Sequence, residues 1–86
     1  MYDDSMPVVF RYKGYRFFFH SNEGDPLEPL HIHVRKAERV AKFWLEPEPG
    51  VARSYGLTSG ELSELLGVAI ENRGLIQRYW NEHFGI

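Results

Sequence analysis

The spacing of apolar residues changes once along this chain, and that change limits the folds open to it. From Val8 to Leu45 apolar and polar residues alternate with a period of two, as in half-buried strands. Beyond Thr58 apolar residues recur every three or four positions, as on one face of a helix. Val8-Val9-Phe10-Arg11-Tyr12 and Tyr15-Arg16-Phe17-Phe18-Phe19-His20 flank Lys13-Gly14, whose glycine accepts positive φ, and predict a tight β-hairpin. Alternation assigns Val8, Phe10 and Tyr12 to one face and Val9 and Arg11 to the other; Phe17 and Phe19 oppose Arg16, Phe18 and His20. After a loop at 21–29, SNEGDPLEP, a second hairpin is predicted. There Leu30, Ile32 and Val34 alternate with His31, His33 and Arg35, and Ala41, Phe43 and Leu45 with Val40, Lys42 and Trp44, around a turn near Lys36 to Glu38. Pro47 and Pro49 withdraw backbone donors and stop the sheet, after which Val51 to Tyr55 are expected to add a short edge strand.

Thr58 or Ser59, followed by Glu61 and an apolar run, signals a helix start. Leu62, Leu65, Leu66, Ala69 and Ile70 form its stripe, and Ile76, Tyr79, Trp80 and Phe84 resume a helical pattern. Arg73 interrupts the stripe and Gly74 weakens the helix by about 1 kcal/mol relative to alanine, so a break is predicted at Asn72 to Gly74. Strands first and helices last, joined by hairpin-length connections, argue an α+β fold: an antiparallel sheet of four to five strands, built from two hairpins, packed on one or two C-terminal helices.

With 86 residues, 43% of them hydrophobic, the chain is expected to form one domain over 1–86, with residues 1–5 as an extension ahead of it. At this length folding removes only about 60% of the unfolded surface from water, which leaves room for a homo-oligomer. The chain has no cysteine, so disulfides, thiolate metal ligands and cysteine nucleophiles are excluded. No apolar run approaches the roughly 18 residues that span a bilayer, and YDDS is acidic where a signal peptide is basic; a cytoplasmic location without membrane contact is expected. The net charge of −2 hides an asymmetry: residues 7–44 hold seven Lys/Arg against four Asp/Glu, and residues 45–86 hold three against six. The basic half either meets an anionic ligand or attracts the acidic half within the fold.

Residues two apart on a strand share a face, so His31 and His33 are placed to reach one metal ion or to share acid/base work. His20, on the same predicted face, and Asp25, in the loop, complete a candidate divalent site suited to Zn, Ni or Fe. An open coordination position there would generate a hydrolytic nucleophile. Without a metal, His31 and His33 with Arg35 or Lys42 are candidates for metal-independent phosphodiester transfer. Arg16, Phe18, Arg35, Lys42 and Trp44 place cations among aromatics on that face, with Arg11 nearby. The pattern suits single-stranded nucleic acid and a protein interface alike, and it also suits Phe18 and Trp44 packing beneath the C-terminal helix. His83 is expected at a partly buried helix end, where a cation suits the helix dipole, and Tyr79, Trp80 and Phe84 in the core.

The segments MPVVFRYKGYRFFFHSNEGD, PLHIHVRKAERVAKFWLEP and ENRGLIQRYWNEHFG together resemble a family of small bacterial proteins catalogued as domain-of-unknown-function family 4160, from about Met6 to Gly85. The resemblance carries no activity. It implies a protein partner, because members are often encoded beside a second small protein in the manner of toxin and antitoxin pairs. Where the family pattern reads D-H-x-P-P-H-x-H-V, this chain keeps Asp25 but places Pro26 after it and Leu30 before His31, which removes one metal ligand. The leading expectation is thus a protein-binding component of a two-gene regulatory or toxin-antitoxin-like unit. The alternatives are a metal-dependent or His-based phosphodiesterase or ribonuclease at His31 and His33, and single-stranded nucleic-acid binding by the basic-aromatic face.

Overall fold

Positive φ at Lys13 (48°) and Gly14 (83°) closes a two-residue turn between β1 (Val8–Tyr12) and β2 (Tyr15–Phe18). The computed structural model describes residues 8–20 and 28–85; the expected N-terminal extension and most of the loop at 21–29 lie outside them. A second turn, at Ala37 (φ 55°) and Glu38, joins β3 (His31–Lys36) to β4 (Arg39–Trp44), and β5 (Gly50–Tyr55) follows the proline segment. All neighbours pair antiparallel in the order β1-β2-β3-β4-β5, so the predicted hairpins and edge strand form one open meander.

Both edge strands carry a β-bulge. On β1, Val8 opposes Phe18 and Phe10 opposes Phe17, which leaves Val9 as the extra residue; on β5, Arg53 opposes Lys42 and Val51 opposes Phe43, which leaves Ala52. The bulge corrects the predicted alternation on β1. Val8 shares a face with Phe18 rather than with Phe10, while Val9 joins the core and Phe10 stacks on Phe17 at 4.4 Å.

The chain then forms α1 (Ser59–Glu71) and α2 (Arg73–Phe84), with the break where expected. Thr58 accepts from the Glu61 backbone N–H at 3.1 Å, and the Glu61 carboxylate accepts from the Thr58 N–H at 2.8 Å, a complete capping box. Asn72 leaves helical geometry at the joint and donates its side-chain amide to the Val68 carbonyl. Arg73 satisfies itself outside the apolar stripe by binding Glu46 at 2.6 Å and the Leu45 carbonyl at 3.2 Å. α1 lies over β4 and β5, and α2 reaches β1, all on one side of the sheet. Phe17, Phe19, Ile32, Phe43, Leu45 and Ile76 are inaccessible in the layer between. Of the predicted stripe, Ile70 points outward and Val68 packs in its place; His83 is exposed rather than partly buried. Trp80 is buried, with Tyr79 and Phe84 packed beside it. No helix among the described residues is long and apolar enough to cross a membrane.

Candidate functional site on the open sheet face

Residues that alternate with the core lie on the other side of the sheet, except that His31, at its end, reaches Trp80 of α2. Cross-strand register puts Arg11 opposite Arg16, Arg16 opposite Arg35, Arg35 opposite Val40, and Val40 opposite Tyr55. A second row runs Phe18, His33, Lys42, Arg53. Directly opposed residues bring their Cβ atoms within about 4.5–5.5 Å, and like charges so placed destabilise a sheet. Three arginines on adjacent strands therefore oppose folding rather than aid it. Arg35 ties its Nε to the Ala37 carbonyl at 3.0 Å, and none of Arg11, Arg16, Arg35 and Arg53 makes an ion pair with another of the described residues.

Beside the rows lies a concavity of about 240 Å³, lined by Phe18, His20, His33, Arg35, Lys42, Arg53 and Tyr55 among others. Lys42 is only 7% exposed. Its ammonium bonds Glu28 at 2.8 Å and stands 4.4 Å from the Trp44 ring centroid, so a carboxylate and an aromatic face together offset its desolvation. Of the predicted aromatics, Phe18 is 6% exposed and stacks near His33 at 5.6 Å, and Trp44 is half-buried under Lys42. The ring contacts of Phe18 are with His20 and His33 and those of Trp44 with His31 and the Lys42 ammonium, whereas the packing alternative placed both beneath the C-terminal helix. Tyr55, by contrast, is 69% exposed.

The imidazoles separate into two environments. His31 is inaccessible: its ring meets Trp44 at 5.5 Å and Trp80 of α2 at 5.2 Å, and its Nδ1 lies 2.9 Å from the Pro29 carbonyl. A carbonyl only accepts, so Nδ1 carries the proton. Glu28 approaches the same nitrogen at 3.8 Å. His33, 6% exposed, contacts the ring of His20 edge-on at 4.1 Å and that of His31 at 5.3 Å. The three predicted histidines thus form a continuous chain of edge-on rings, but its His31 end is closed by Trp80 of α2 instead of lying open to a metal ion or substrate. Asp25 lies outside the described residues, and among those described no group of three or more His, Cys, Asp or Glu is arranged to hold a metal ion.

Arg53 and Tyr55 were absent from the predicted surface. Their i, i+2 spacing was visible, but the sheet face they occupy depends on the bulge at Ala52 and the register with β4. A separate polar cluster joins the first hairpin to α1: Lys13 at 2.8 Å and Tyr12 both donate to Glu64. These bonds, Lys13 first, hold the Glu64 carboxyl below its usual range, and Glu64 in turn raises Tyr12 and Lys13. Its residues pair with one another, which suits a fastening rather than a binding site.

A family model described as Domain of unknown function (DUF4160) matches residues 14–81. No curated protein and no solved structure matches the chain.

Proposed function

Taking as premise that this chain belongs to the family described as Domain of unknown function (DUF4160), we propose that it is a non-enzymatic binding component whose open sheet face receives an acidic segment of a partner protein. The family resemblance supports placing that partner in a two-gene regulatory or toxin-antitoxin-like unit. The observation that carries the reading is the row Arg11, Arg16, Arg35, held opposite one another without ion pairs among the described residues, at the expense of stability. Arginine presents a planar fork that binds carboxylates bidentately, and it anchors protein interfaces more often than lysine does.

Protein is favoured over single-stranded nucleic acid because bases need open aromatic faces. Phe18 is buried and Trp44 lies under an ammonium, which leaves Tyr55 as the exposed ring of the face. Binding is favoured over phosphodiester transfer because in-line displacement requires base and acid on opposite sides of phosphorus. His20 and His33 touch at 4.1 Å and so stand on the same side, while His31 is sealed from water.

The test is fluorescence anisotropy of a labelled oligoglutamate with the full chain. Binding should weaken with rising salt and disappear in Arg16→Glu and Arg35→Glu. A labelled single-stranded oligonucleotide that bound more tightly, with the same dependence on Arg16 and Arg35, would transfer the face to nucleic acid; absence of binding to oligoglutamate at low salt overturns the reading.

A further inference from the structure

Charge on the open face is concentrated at the concavity beside β5, where three basic side chains, Arg35, Lys42 and Arg53, meet the imidazoles of His20 and His33. The geometry points to this concavity as the site of a dianionic phosphate monoester, carried on the partner as a phosphorylated side chain. The inference rests on the protein-binding reading and narrows it.

Charge balance is the first argument. Against the three cations stands one described carboxylate, Glu28 on Lys42, which among the described residues leaves a surplus of two positive charges. A glutamate side chain supplies one negative charge, whereas a phosphate monoester supplies about 1.5 to 2 with three acceptor oxygens. Donor placement is the second. His33, Lys42 and Arg53 are consecutive cross-strand partners, so their stems rise about 5 Å apart in one row. Lys42 gives one proton to Glu28 and has no other acceptor among the described residues. As a buried cation fixed against Trp44, it needs little further ordering when an anion arrives. Size is the third: at about 240 Å³ the space falls below the roughly 300–1,000 Å³ of pockets that enclose a whole cofactor or drug-sized molecule, and suits a phosphoryl group with the start of its side chain.

Two acidic peptides, identical except for phosphoserine or glutamate at one central position, separate this inference from the reading beneath it. Isothermal titration with the full chain should show the phosphopeptide binding at least about tenfold more tightly, because of the added charge-assisted hydrogen bonds. That advantage should collapse in Arg53→Gln, whose site is exposed on an edge strand. Lys42→Met, which keeps the stem against Trp44, should repeat the loss, with circular dichroism confirming that both variants fold. Equal affinity for the two peptides overturns the phosphate inference and leaves the acidic-segment reading standing; failure of both peptides removes both. Inorganic phosphate or a nucleoside monophosphate displacing the phosphopeptide at concentrations near its own would assign the pocket to free phosphate or a small phosphate ester and overturn the side-chain source.

Discussion

The same strands build two faces that follow opposite rules. Toward the helices, Phe17, Ile32, Phe43 and Leu45 exclude water and each gains by burial; away from them, Arg11, Arg16 and Arg35 are set side by side where each raises the energy of the next. Folding accounts for the first arrangement and not for the second, and the acidic partner proposed above would account for it. The largest expected effect tests the contrast directly. Phe43→Ala should lower unfolding free energy by about 3–5 kcal/mol, a large fraction of what a chain this small can possess. Arg35→Ala should leave stability unchanged or raise it. Urea denaturation of both variants decides the matter, and an arginine variant that lost as much as the phenylalanine variant would break the distinction between the faces.

A smaller effect sharpens the same comparison from the helix side. Thr58→Ala removes one half of the capping box at the start of α1 and should cost about 1 kcal/mol in the same assay. Because α1 covers only the apolar face, oligoglutamate affinity should be unaltered at temperatures where the variant is folded. A drop in affinity that tracks the drop in stability would mean that the helix layer and the open face are coupled.

What the chain revealed in advance follows from the range of the forces involved. The capping box at Thr58, the turn at Lys13-Gly14 and the break at Asn72 are each set within a few residues, and each was legible. The bulges at Val9 and Ala52 were not, since period-two counting has no means of skipping a residue, and both misplacements trace to them: Val8 assigned to the Phe10 face, and Arg53 and Tyr55 left off the site. His31 escaped for a different reason. Its position on the strand was correctly assigned, but its burial comes from Trp80, forty-nine positions later, reaching the end of the sheet. The spacing of Ile70 puts it in the stripe, yet it is exposed while Val68 packs against the core.

Removing a single like charge is the next step down in size. Arg16 stands between Arg11 and Arg35, so Arg16→Ala should stabilise by about 0.2–1 kcal/mol at low ionic strength, with the gain fading as salt screens the row. The same variant should lose oligoglutamate binding. Gain of stability with loss of binding in one substitution is the signature of a residue kept for a partner, and a variant that lost both would place Arg16 among the supports of the fold.

Acid should reach the two faces unequally, and by the smallest margin. Glu64 is held below the usual carboxylate range first by its bond from Lys13, and Glu61 first by the Thr58 backbone N–H. A carboxyl depressed on folding contributes stability that is complete above its ordinary value, 4.5, and is lost as pH falls through the lower folded value. The fastening of α1 should therefore loosen below about pH 4.5, while the arginines of the open face keep their charge throughout. Glu64→Gln carries no carboxyl to protonate, so melting temperatures of the variant should change little near neutrality, where exposed pairs contribute weakly, and should fall less steeply than wild type in acid. Curves that stayed parallel below pH 4.5 would show that the Lys13 and Tyr12 contacts on Glu64 form equally well without its charge.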